Sequence, residues 1–127
     1  MMLRMMILGL VTAMLSGCYY SKGCIYGPQS ADCPFRPEVK GIQQWQKKDS
    51  IGNTNPEQRI RDLKECGVGG VDYGMAIFNG TRPNESDDAF EVRRSKKYQC
   101  VKDKGYIFIT EYECRTESQT KLNGKCN

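Results

Sequence analysis

Residues 55–67 read Asn-Pro-Glu-Gln-Arg-Ile-Arg-Asp-Leu-Lys-Glu-Cys-Gly, and both ends of a helix are written into them. Asn55 can cap the first turn, Pro56 suits the first helical position, and Glu57 faces the positive end of the macrodipole. Gly67 is a natural left-handed residue just past the last turn. The apolar stripe is only Ile60, Leu63 and Cys66 or Gly67, too narrow to dock a helix by burial alone. A cross-link through Cys66 is therefore expected.

Downstream, Val68 to Asn84 carries Gly69, Gly70, Gly74 and Gly80 among Tyr73, Met75, Ile77 and Phe78. The glycines invite comparison with a phosphate loop. However, the run lacks a Gly-Lys-Ser/Thr ending and follows a helix rather than a strand. It reads as a loop or short hairpin through Tyr73–Phe78. A second helix opens at Ser86 or Asp87, with Glu85, Asp87, Asp88 and Glu91 crowded at its start. Arg93, Arg94, Lys96, Lys97, Lys102 and Lys104 fill the remainder, a sign order that complements the helix dipole, and Gly105 supplies the stop. Ala89, Phe90, Tyr98 and Val101 are its candidates for burial, with Cys100 beside them. Tyr106–Cys114, rich in β-branched and aromatic residues, is the best strand pattern in the chain. The polar tail, Arg115 to Asn127, is expected to be pinned through Cys126.

Upstream, Val39 to Trp45 is an ambiguous short segment. Trp45, the single tryptophan, reads either as a core anchor over a helix or as an exposed aromatic that stacks on a ligand. Tyr19 to Glu38 holds Gly23, Gly27, Pro28, Pro34 and Pro37, and reads as a tether or irregular arm. The expected division is a cleaved signal at 1–17, the arm at 18–44 and a folded domain at 45–127. The fold class is a small, helix-rich α+β domain stapled by disulfides.

The staples follow from composition. A mature chain of about 110 residues makes one small domain, and its bulky apolar residues are few. Seven cysteines occur: Cys18, Cys24, Cys33, Cys66, Cys100, Cys114 and Cys126. Setting Cys18 aside leaves six, which allow fifteen connectivities that sequence alone does not choose among. The expected set is Cys24–Cys33, Cys66–Cys100 and Cys114–Cys126. The first and third close short loops, and the second joins the two helices across about 34 residues, worth roughly 3–4 kcal/mol. With no Cys-x-x-Cys pair and no histidine, zinc spacings are absent.

The address lies at the start of the chain. Arg4 precedes an apolar run, Met5 to Leu15, too short to span a bilayer permanently, and Ser16-Gly17-Cys18 follows. Leu15-Ser16-Gly17-Cys18 resembles the lipobox of bacterial lipoproteins. The other reading is an ordinary secretory signal that happens to contain a cysteine. The resemblance implies cleavage before Cys18, a diacylglycerol on its sulfur, acylation (palmitate) of its new amine, and no other cofactor. Each buried CH₂ contributes about 0.8 kcal/mol, so two or three long chains anchor the protein durably. Tyr19, in place of the aspartate that retains such proteins in the inner membrane, implies the outer membrane, with the leaflet left open. Glu65-Cys66-Gly67 and Cys100…Lys104-Gly105-Tyr106, after a Trp region, also resemble small cysteine-containing lipoproteins of Gram-negative bacteria. That resemblance supports the pairing of Cys66 with Cys100 and implies no chemistry.

Three function classes remain. Catalysis lacks histidine, the commonest general base. A carboxylate-dependent cell-wall hydrolase would need a pair such as Glu111 and Glu113 on one strand face, or Asp87 and Asp88, which more simply cap a helix. Electrostatic binding of lipopolysaccharide or another anionic envelope polymer would use Arg93, Arg94, Lys96 and Lys97. Without Arg4 the side-chain charge falls from +4 to about +3, a mild excess. Nucleic acid is not expected as a partner, because the basic residues have no stacking platform. The leading expectation is a non-catalytic module that meets an envelope protein. Small lipoproteins of this sort include assembly factors, inhibitors of host enzymes and prophage proteins that mask receptors.

Overall fold

The computed structural model describes residues 17–127; the expected signal segment before Gly17 lies outside the described residues. Strands β1 (Tyr19–Ser21), β2 (Cys24–Tyr26) and β3 (Ala31–Asp32) form an antiparallel sheet in the order β1-β2-β3. The stretch expected as an irregular arm thus contains ordered strands. Lys22 and Gly23 both have positive φ, giving the two-residue turn whose twist matches a tight hairpin. Proline and glycine content in 18–38 had masked this alternation of short strands and turns.

The chain then enters a 3₁₀ turn at Gly41–Gln44 and strand β4, Trp45–Lys47. Helix α1 spans Pro56–Glu65 with the expected signals at both ends. The Asn55 carboxamide oxygen accepts from the Gln58 amide at 2.9 Å. Past the end, Gly67 N donates to Lys64 O and Val68 N to Leu63 O, the paired bonds that a left-handed glycine makes possible. The loop that follows closes on itself through a single bridge between Gly69 and Ile77. Helix α2 spans Asp87–Asp103, capped by Ser86, and β5 spans Tyr106–Phe108. β5 pairs antiparallel with β4, placing Trp45 opposite Phe108 and Lys47 opposite Tyr106. This is a small α+β domain with two helices and two small antiparallel sheets.

Three disulfides join Cys24–Cys33, Cys66–Cys100 and Cys114–Cys126, the expected set, and Cys18 is free and exposed. The main core gathers Ile42, Trp45, Leu63, Cys66, Val68, Val71, Phe78, Val101 and Tyr106. A smaller cluster of Val39, Ile109, Cys114 and Cys126 lies under the tail. The tail is locked onto α1: Arg59 donates to the main-chain oxygen of Asn127 at 2.6 Å, and the Asn127 amide donates to Thr54 O at 2.7 Å.

Two further sequence expectations are corrected. The strand expected over Tyr106–Cys114 ends at Phe108. The Thr110 amide and hydroxyl both donate to the Glu113 carboxylate, at 2.9 and 2.8 Å, so side-chain bonds fold this segment into a turn instead of extending the ladder. Ala89, expected in the core, is exposed, and Phe90 is only half-buried. Of α2, Val101 alone is fully buried, because the first turns of the helix run past the edge of the core.

Candidate functional site

The best-formed concavity is an open groove of about 730 Å³. Four separate segments build its aromatic wall. β4 brings Trp45, β5 brings Phe108, the glycine-rich loop brings Phe78, and α2 brings Tyr98. Phe78 and Tyr98 stack face to face with ring centres 4.1 Å apart. Trp45 lies 5.0 Å from Phe78, 6.0 Å from Tyr98 and 5.2 Å from Phe108. Trp45 and Phe78 are buried, while Phe108 is 51% exposed and forms the open lip. Aromatic pairs at these separations hold one another in place, so the wall is preformed.

The rim carries Lys48 and Lys102, both exposed. Neither makes an ion pair among the described residues. The lining holds no carboxylate and no thiol. An apolar pocket with a positive rim and no acid favours an apolar group accompanied by negative charge.

The floor is fixed by a buried polar network. Tyr106, which lines the groove, donates its hydroxyl to Asp62 at 2.7 Å. Gln58 donates to the other Asp62 oxygen at 2.8 Å, and the Lys47 and Lys104 ammonium groups each stand 3.6 Å from the carboxylate. Lys47 also donates to Lys104 O and lies over the Tyr106 ring. Burial alone would raise the Asp62 carboxyl, but the bonds from Tyr106 and Gln58 and the two lysine charges hold it below the usual range. Burial and the same hydrogen bond push the Tyr106 hydroxyl up. At neutral pH these shifts favour an ionised Asp62 and a protonated Tyr106, which keeps the hydrogen bond between them charge-assisted.

The basic residues singled out from sequence do not form one open face. Arg93 makes a two-pronged pair with Glu85, at 2.7 and 2.6 Å, and donates to Gly80 O at 2.6 Å. It latches the loop before α2 to the helix. Arg94 pairs with Glu91 at 2.7 Å. Lys97 is half-buried near Gly67, and burial together with Arg93 and Arg82 pushes its ammonium below the ordinary lysine value. Lys96 is left exposed without an ion pair among the described residues.

The candidate carboxylates are likewise engaged. Glu111 pairs with Arg115 at 2.9 Å, and Glu113 is held by Thr110 in the turn, so they share no strand face. The Thr110 amide and hydroxyl keep the Glu113 carboxyl below its ordinary value. Among the described residues no cluster of three or more ligating side chains could hold a metal ion, and no helix is long and apolar enough to cross a membrane.

Trp45 fulfils its core reading and also backs the groove. Phe78, Tyr98, Phe108, Lys48 and Lys102 carried no signal as a site in the sequence. They come from segments up to some sixty residues apart, brought together by the β4–β5 pairing, the Cys66–Cys100 bridge and the docking of the Phe78 loop through Gly74 O on Ile42 N. The chain matches no known protein family, no curated protein and no solved structure.

Proposed function

We propose that this chain is an envelope lipoprotein, anchored by lipid on Cys18, whose folded domain is a non-catalytic binding module. It engages a partner protein through the aromatic groove. The occupant is a segment with an apolar side chain flanked by carboxylates, seated between Trp45, Phe78, Tyr98 and Phe108 with its charges toward Lys48 and Lys102. The observation that carries this reading is the groove itself: preformed, apolar, open to solvent and rimmed by two lysines that make no ion pair among the described residues. Leu15-Ser16-Gly17-Cys18 in the sequence supports the anchor, and Cys18 lies outside the three disulfides.

Photo-crosslinking from a benzophenone amino acid at Phe108, in intact cells, tests the groove. The expected product joins Phe108 to an acidic, apolar segment of one envelope protein and is lost in Lys48→Glu with Lys102→Glu. Crosslinks that survive the double reversal, or that map to basic or purely polar segments, would overturn the proposed occupant.

A further inference from the structure

Between Cys18 and the domain lies a surface that the groove does not use. β1 begins at Tyr19, directly after Cys18, and antiparallel pairing places Tyr19 against Tyr26 and Tyr20 against Ile25. The Tyr19 and Tyr26 rings stack at 4.9 Å on one face of the sheet. On the other face Tyr20 meets Phe35 edge-on at 5.9 Å, beside Ile25. These side chains are open to solvent: Tyr19 is 62% exposed, Tyr20 58%, Phe35 57% and Ile25 43%.

The opposite end of the sheet is tied together within the N-terminal segment and reaches the rest of the domain through Lys22. Cys24 is fully buried and bridged to Cys33, Arg36 donates to Lys22 O at 2.8 Å, and the Lys22 ammonium reaches the Tyr112 hydroxyl at 3.3 Å. Cys18 is therefore a few residues of hydrogen-bonded strand away from a buried disulfide, and the link between them is short and ordered.

We infer that the β1–β3 sheet is a membrane-contact foot, with the face that carries Tyr20, Ile25 and Phe35 seated at the headgroup level of the bilayer that holds the Cys18 lipid. The inference rests on the proposed anchor. Aromatic rings with one apolar body and, in tyrosine, one polar tip favour this boundary layer. Charge does not drive the contact: Lys22 and Arg36 are turned to the protein, and Asp32 adds a carboxylate on β3. The contact is accordingly insensitive to salt and to anionic lipid. It would hold the domain against the membrane in a set orientation, where a loose tether would let it roam.

The test uses the full chain, expressed with its own leader, extracted and reconstituted into phosphatidylcholine vesicles that carry lipids brominated high on the acyl chain. Tryptophan is introduced by Phe35→Trp or Tyr20→Trp at the foot, and by Phe108→Trp at the groove, with Trp45 retained as a buried background. The foot variants should lose much of the added emission to bromine, and the groove variant almost none. Intact mass of the same samples reports the lipid on Cys18. Lipidated protein with unquenched foot tryptophans would overturn the foot and leave the anchor standing. Protein without lipid on Cys18 would overturn the anchor and the foot with it.

Discussion

Removing the Cys66–Cys100 bridge by Cys66→Ala with Cys100→Ala should detach α2 from the rest of the domain. The bridge joins the C-cap of α1 to the last turn of α2 across a separation of 34 residues. Closing a loop of that length in the unfolded chain corresponds to about 3.8 kcal/mol by the chain-entropy relation. The bridge has little redundancy, since Val101 is the only fully buried residue of α2. Lost contacts of Cys66, itself part of the main core, would add to the cost. A small domain has only about 5–15 kcal/mol of stability in total, so the loss is a large fraction of it. At about 4 °C per kcal/mol for this chain length, the midpoint of thermal unfolding should drop by about 15 °C. Urea unfolding measures the global term, and amide hydrogen exchange locates it. Protection at Tyr98–Asp103 should collapse first, while Leu63 and its neighbours in α1 keep more of theirs. A loss below about 1 kcal/mol, or α2 amides that stay protected, would refute the argument that α2 is held by the cross-link. Replacing Cys24 and Cys33, nine residues apart, should cost about 2.6 kcal/mol and loosen mainly the β1–β3 sheet.

Asp62→Asn should destabilise the domain by about 1.5–3 kcal/mol, the worth of hydrogen bonds to a charged acceptor, as read by urea unfolding at neutral pH. Because the folded carboxyl titrates below its unfolded value of about 3.9, its contribution is complete above that value and is lost as pH falls through the lower, folded one. The parent should therefore lose more stability than the variant between about pH 5 and 2; parallel acid limbs would count against the network. Arg93→Ala should free the loop at 80–85, which Arg93 ties down through Glu85 and Gly80 O, and a glutamate-specific protease should then cut faster after Glu85, whose carboxylate the pair otherwise holds. Unchanged cleavage would mean that the latch does not restrain the loop.

Helix ends and cysteine parity were legible in the sequence because their causes are local. Asn55-Pro56 and Cys66-Gly67 fix α1 through bonds within a few residues, and Ser86 and Gly105 do the same for α2. The bridges of 9 and 12 residues follow from short loops. The N-terminal sheet was hidden because its turn is Lys22-Gly23, where the usual Asn-Gly signal is missing, and because its strands are only two or three residues long. The strand at Tyr106 was overextended, since Ile107-Phe108-Ile109 has strand composition while Thr110 and Glu113 hold a turn by side-chain bonds that composition does not reveal. The groove was illegible for a different reason. Each of its aromatics reads singly as core, and only tertiary pairing leaves Phe108 at an open lip and two lysines beside it.

The most direct test of a lipid-anchored module is the intact mass of the mature protein isolated from the cell envelope. The expected mature chain starts at Cys18 and carries the added mass of a diacylglyceryl group and an amide-linked acyl chain, with the six remaining cysteines oxidised. A mature chain that retains residues before Cys18, or one whose Cys18 thiol reacts freely with an alkylating reagent, would contradict it.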